Sequence, residues 1–476
     1  MNDSKFYRFL KTLNTKELRK FRKYLESPYF NTNQILLQLF GIFESHLLDP
    51  NEKELDKKQV WELIYPNDPF DYDRLRKLIH LLMVLGEDFL AQLAYDDNSA
   101  HRVHYLLQML HRKEMEEFIQ STIQAGINVL KKENNRNGNY YYDLYSIEKY
   151  KYILENFESA RVKKLNIQKL NISEIDGHLN HFYFSEKLKY YCLLLSWSKM
   201  INVELNVPLI PQITTIVKTG SYLQIPSIGI YYQIYLTYIE PNELEHFYEL
   251  KKLINNYIHL FPSEDAKDIM NSAINYTIQK HNSGNTSFYL ENFLIYKDAI
   301  EKEIILTNNE LSPWAFKNII TLGLRLNEFE WVENFINNYG IKINKEYREN
   351  AINYNLASMY FYKKEYNKAI PLLQKVQFDE LNYGLGAKSI LLAIFYEIDE
   401  FETLGSLYDS FKIFVKRSKS ITDDRKKSYL ELISFTKKLT EINNDKTSIV
   451  KLKLQIEKSQ AMSKQWLLEK VDELLN

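Results

Sequence analysis

The chain has 476 residues, 45% of them hydrophobic and 26% charged, with a formal net charge of −1 at pH 7. That balance suits a protein with a packed core and gives no overall field that would draw the whole molecule to nucleic acid or an anionic membrane. Only 13 Gly and 11 Pro occur, so the punctuation that strands and tight turns require is scarce and an all-α fold is predicted. The 36 Tyr and 26 Phe suit helix stacking, where a Tyr ring packs while its hydroxyl reaches water. A single cysteine, Cys192 in KYYCLLLSW, excludes an internal disulfide framework and a cysteine-built zinc site. It reads as core filler in a cytoplasmic protein.

Residues 1–97 read as a compact N-terminal helical module with irregularly spaced caps and breaks. MNDSKFYRFLKTLN lacks the apolar core of a secretory signal, so export is not expected. LNTKELRKFRKYLESPYFN predicts a helix opened by a capping box at Thr15, striped by Leu18, Phe21 and Leu25, and stopped by Ser27-Pro28. A long apolar helix then follows PNDPF and runs out near Asp96. The first 26 residues carry eight Lys and Arg against three acids, and Lys16, Arg19, Lys20, Arg22 and Lys23 fall on the polar face of the second helix.

Residues 98–310 show helical-hairpin patterning of drifting length, over 101–158, 178–218, the segment after Pro226, and 268–306. NNRNGN, at 134–139, is the most loop-like stretch. The uncharged run TGSYLQIPSIGIYYQIYLTYI reads as a buried helix beginning near Pro226 rather than a membrane span, because Pro, Gly, Gln and hydroxyls interrupt it. No membrane partner is expected. His101, His104 and His111 share roughly one helical face, and His178 and His181 are three apart. Residues 104 and 111 would stand about 10 Å apart along a helix, too far to share an ion, and no metal is expected at either group.

The clearest signal lies in LASMYFYKKEYNKAIPLLQKV, residues 356–376. Apolar positions keep three-to-four spacing on both sides of Lys363-Lys364-Glu365, which predicts two amphipathic helices joined tightly. Leu391, Leu392, Phe395, Phe401, Leu404, Tyr408 and Phe411 repeat the pattern downstream; Ile319, Ile320, Gly323, Phe329, Val332, Ile336 and Tyr339 precede it. A lone hairpin cannot bury its apolar face, so three copies over 311–418 predict a stack, with capping helices over 419–476. At Leu356, Ala357, Tyr360, Ala369 and Leu373 the unit resembles the tetratricopeptide repeat. It departs at Leu381, where a Pro is usual, and at Asn353, where an aromatic is usual. KELRKFRKYLESPYFN, LSPWAFKNIITLGLRLNEFEWVENFI, YRENAINYNLASMYF and ILLAIFYEIDEFETLGSLYDSFKIFVKR further resemble a family of uncharacterised helical proteins of Bacteroidota. That resemblance spans nearly the whole chain and implies a cytoplasmic helical-repeat protein. It brings no activity with it.

Motifs for chemistry are absent from the sequence: no G-x-x-x-x-G-K, G-x-G-x-x-G, H-E-x-x-H or G-x-S-x-G occurs. The acid pairs Asp71/Asp73, Asp96/Asp97 and Asp423/Asp424 sit where helices start or end, and capping explains them. No catalytic residue and no cofactor is nominated. The predicted site is geometric instead. At 100° per residue, Tyr354, Ser358, Phe361 and Tyr362 point about 130° away from the Leu356, Ala357, Tyr360 stripe, toward the concave groove of such a stack. Lys317, Thr321 and Arg325 precede them, and Ser389, Ala393 and Tyr396 follow. The expected function is a non-enzymatic scaffold that takes another protein or peptide in this groove, aromatics giving contact area and cations meeting acidic groups. Three rivals stand beside it: a groove filled by the chain's own helix near 446–474, a nucleic-acid-associated regulator, and an unrecognised enzyme with acids converging from distant segments. The regulator would use the first basic patch with Lys416, Arg417 and Lys419 in the lysine-rich 411–438 segment.

Overall fold

A computed structural model describes residues 1–48, 55–162, 170–201, 207–377, 381–418, 420–442 and 445–475. Lys419 lies outside these residues. Among the described residues every regular element is helical, and the isolated bridge between Thr307 and Glu310 is the β pairing present. The chain forms two compact units: unit 1 comprises 1–190 and 208–228, unit 2 comprises 191–207 and 229–476. Residue 97, the predicted end of the N-terminal module, falls inside unit 1.

Unit 1 opens with α1 (Lys5–Thr12), α2 (Thr15–Glu26), α3 (Gln34–Leu47), α4 (Lys57–Ile64) and α5 (Tyr72–Asp97). The α2 capping box is built by Asn14 rather than Thr15. Asn14 accepts from the Glu17 amide while the Glu17 carboxylate accepts from the Asn14 amide. The reciprocal bond needs a Glu or Gln three residues after the cap, and only Asn14 has one. The buried faces of these helices meet in an aromatic core of Phe6, Phe9, Phe21, Phe40, Phe43 and Phe89. Trp61 closes one side, its indole N–H donating to the Asp68 carbonyl. Next come α6 (Ser99–Arg112), α7 (Glu116–Lys132), α8 (Gly138–Val162), α9 (Ile172–Ile201), whose residues from 191 onward belong to unit 2, and α10 (Ile210–Thr219). α5 is long and apolar enough to cross a membrane. The run after Pro226 instead forms α11 (Pro226–Ile239), buried along most of its length and, from residue 229, part of unit 2.

Unit 2 continues through α12 (Leu244–Tyr257), α13 (Ser263–Asn282) and α14 (Phe288–Glu301), then α15 (Pro313–Arg325) with α16 (Phe329–Tyr339). α17 (Lys345–Tyr362) pairs with α18 (Tyr366–Lys375), and α19 (Leu381–Glu397) with α20 (Phe401–Arg417). α21 (Asp423–Glu441), α22 (Lys446–Lys458) and α23 (Lys464–Leu475) close the chain. The three hairpins read from the sequence are therefore present as α15/α16, α17/α18 and α19/α20. Besides its own partner, α15 packs on α17, α17 on α19 and α19 on α21, so the first helices of successive hairpins form a continuous row.

One turn recurs between paired helices and explains how a glycine-poor chain builds them. The middle residue is left-handed at Glu114, Asn327, Lys364 and Asp399, with φ of 56°, 61°, 58° and 60°, and at Gly284 with φ 100°. The following amide returns to a carbonyl five residues back, as from Glu365 to Tyr360 and from Glu400 to Phe395. This satisfies carbonyls that a helix C-terminus otherwise orphans. A side chain in that conformation costs roughly 1–2 kcal/mol, part of which glycine recovers. Lys364→Gly is therefore expected to stabilise unit 2 by about 0.5–1 kcal/mol, read as a higher urea midpoint; the Lys364 side chain is exposed and forms no ion pair or side-chain hydrogen bond among the described residues.

Candidate binding surface

The row α15, α17, α19, α21 brings the predicted groove residues of 317–389 together, and buries more of them than the helical wheel implies. Tyr354 is 8% exposed. Its ring meets Tyr383 of α19 at 5.1 Å between centroids, and a Cβ on Gly386 would come within 2.5 Å of its hydroxyl. Glycine at 386 is thus what allows α19 to approach α17 over this ring. Ser358 is buried as well, donating back to the Tyr354 carbonyl at 2.9 Å. Both residues correct the expectation of open groove side chains. α15 and α19 flank α17 and cover its second face, so that helix is buried on two sides.

Lys317 lies over this aromatic pair. Its ammonium is 4.8 Å from the Tyr354 ring centre and 5.7 Å from that of Tyr383, whose hydroxyl donates to the Pro313 carbonyl and ties α19 to the start of α15. Burial, and then the nearby positive charge of Arg425 on α21, pull the ammonium down to about 8. Among the described residues no carboxylate pairs with Lys317. Burial also holds the Tyr354 phenol far above its ordinary value, so it stays neutral. The result is a cationic centre on an aromatic bed, assembled from four successive helices of the row.

The remaining groove residues have separate fates. Thr321 donates to the Lys317 carbonyl at 2.8 Å and serves the helix. Arg325, exposed at the end of α15, donates to the Tyr289 hydroxyl at 2.6 Å and lies over that ring. Phe361 is half-buried against Tyr362, which is 41% exposed. Ser389 donates to the Leu385 carbonyl and Ala393 is buried. Tyr396 does not line open surface: Trp466 of α23 packs edge-on against it at 5.5 Å and donates to Glu397 at 2.8 Å, while Lys470 bonds the same carboxylate. The terminal helix thus covers this end of the predicted groove. Sequence reasoning missed Tyr383 and Gly386, because the apolar repeat carries no signal at those positions, and it read Arg425 as part of the basic 411–438 segment rather than as a neighbour of Lys317.

On α2, Lys16, Arg19, Lys20 and Lys23 are exposed, whereas Arg22 pairs with Glu44 and covers the Phe40 ring. Lys416 and Arg417 are exposed at the end of α20. The two basic patches belong to different units.

Among the described residues, no group of three or more His, Cys, Asp or Glu side chains could hold a metal ion. His178 and His181 have ring centres 6.2 Å apart, each with its pKa lowered by burial. Cys192 is buried with its thiol on the Tyr231 carbonyl, and burial pushes its pKa up, which makes it a poor nucleophile. In unit 1, His101 on α6 stands 3.7 Å from the buried carboxyl of Asp143 on α8. Burial raises that carboxyl to about 6 against the pull of His101. The folded state therefore holds its proton more tightly than the unfolded chain, whose value is about 3.9. The stability it contributes is present at low pH and is lost as pH rises through 6. Asp143→Asn is expected to gain about 1 kcal/mol at pH 7, shrinking toward zero near pH 4, in urea titrations at the two pH values.

Comparison with family models, with curated proteins and with solved structures yields no match.

Proposed function

We propose that the protein is a non-enzymatic cytoplasmic scaffold whose hairpins α15 to α20 form a tetratricopeptide-like stack, and that the row α15, α17, α19, α21 takes a partner segment carrying an acidic group. The observation that carries this reading is Lys317. A partly buried ammonium beside a second cation, resting on Tyr354 and Tyr383 without an acid partner among the described residues, disfavours the folded state. Perturbed charges of this kind concentrate at functional sites. A carboxylate arriving between Lys317 and Arg425 would relieve that repulsion, and the exposed Tyr362 and Arg325 would extend the contact along α17 and α15.

The test is affinity capture of the tagged protein from its native host, with and without nuclease, followed by mass spectrometry. A protein partner that survives nuclease, is released by moderate salt and is lost in Lys317→Glu with an unchanged circular dichroism spectrum supports the scaffold. Retention of every partner by Lys317→Glu overturns it. Capture of nuclease-sensitive material alone also overturns it, in favour of nucleic-acid binding through the exposed cations of α2.

A further inference from the structure

Between α13 and α15 the helix row is interrupted by the eleven-residue link 302–312, and a cavity of about 600 Å³ occupies the gap. Its rim is a fixed frame. Asn308 and Asn309, both left-handed at φ 51° and 64°, form a tight turn closed by the Thr307–Glu310 bridge; asparagine tolerates that conformation better than most residues. The frame is tied down by the Leu311 amide on the Lys342 carbonyl, by Lys342 on Asn309, and by Asn344 on the Glu310 carboxylate.

The wall chemistry is specific. Asn271 and Asn275, one turn apart on α13 and exposed, form no hydrogen bond within the described protein, nor does the Asn308 amide. Trp314, at the first turn of α15 and 58% exposed, lines the same cavity together with Tyr347 and three isoleucines. An exposed indole and unengaged amides lining one cavity suit a ligand with an apolar face and a polar edge. The two lining residues charged at neutral pH are Lys267 and Glu310, of opposite sign, and both are already bonded, to Thr307 and Asn344. Their opposite charges offset one another, so the cavity presents no net charge to draw an ionic ligand. A purely apolar one would leave the amides without partners.

We infer that this cavity is a binding site for a neutral saccharide, which stacks a sugar ring on Trp314 and offers its hydroxyls to Asn271 and Asn275. An amide supplies both donor and acceptor, matching a hydroxyl that is itself both. Two amides one helical turn apart, about 6 Å along the axis, reach opposite sides of one sugar ring or neighbouring units of a chain. A nucleobase, whose donor and acceptor sit side by side, would be read by one amide alone.

The experiment is saturation-transfer NMR on the full chain with maltotriose, cellotriose, xylotriose, mannotriose and diacetylchitobiose, and with adenosine and uridine as the contrasting class. Binding of at least one saccharide, with quenched tryptophan fluorescence, is expected, weakened at least tenfold by Trp314→Ala and again by Asn271→Ala/Asn275→Ala. These side chains are exposed, so folding should be unaffected, and an unchanged thermal midpoint verifies it. The inference is overturned if no saccharide binds at millimolar concentration, if a bound saccharide ignores these variants, or if the nucleosides bind instead.

Discussion

Lys317→Met is expected to stabilise unit 2 by about 2 kcal/mol at pH 7 while abolishing capture of an acidic partner. The ammonium at about 8 lies well below the ordinary lysine value of about 10.4, so the folded state binds its proton less tightly than the unfolded chain. A depressed pKa of this sign means stability that is present above the unfolded value and lost as pH falls through 8. At pH 7 the wild type carries the full penalty, and at pH 10 little of it remains. The shift alone corresponds to roughly 3 kcal/mol, but partial solvation of the side chain and its loss from the Tyr354 and Tyr383 rings both reduce the gain. Methionine keeps the length of the stem and removes the charge. Urea unfolding at pH 7 and pH 10 should show the advantage at the lower pH and its narrowing to under about 1 kcal/mol at the higher.

A variant that is more stable and yet binds less is the outcome expected of a residue retained for function. If Lys317→Met is destabilising at pH 7, the ammonium is anchored by the rings rather than strained, and the case for an incoming carboxylate is lost. Salt offers a second readout. The wild-type complex should weaken with ionic strength, and any residual binding by the variant should depend on it much less.

The hairpins were legible in the sequence because each buries an apolar stripe whose period is set by helix geometry: Leu356 to Leu373, Leu391 to Phe411 and Ile319 to Tyr339 all form as read. The start of α11 at Pro226 was legible for the same reason, since proline suits a first turn. Cap chemistry was misplaced by one residue at Thr15. The groove was half legible. A helical wheel assigns two faces to α17, but it cannot say that α15 and α19 close over the second one, and that closure depends on the missing side chain of Gly386. Tyr396 was lost to Trp466, seventy residues away, and Arg425 entered from a helix outside the repeats. The cavity beside Trp314 left no trace in the pattern, because it arises where the row of helices is interrupted.

Phe21→Ala is expected to cost about 4 kcal/mol, the range for emptying an aromatic site in a tight core. Phe21 has no exposed surface, and its ring lies 5.2 Å from Phe40, 5.1 Å from Phe89, 5.6 Å from Phe9 and 6.4 Å from Phe6. One side chain therefore joins α1, α2, α3 and α5, and its edge-on contacts with Phe9 and Phe40 add to the area it buries. Surrounding rings cannot collapse into the space, since each is held by its own helix. The loss should be regional. Hydrogen exchange is expected to quicken throughout α1 to α5 while amides of α15 to α21, in the other compact unit, keep their protection. Uniform acceleration across both units would show that they unfold as one. With exchange confined to unit 1, partner capture through Lys317 should persist in Phe21→Ala, which would separate the work of the aromatic module from that of the helical row.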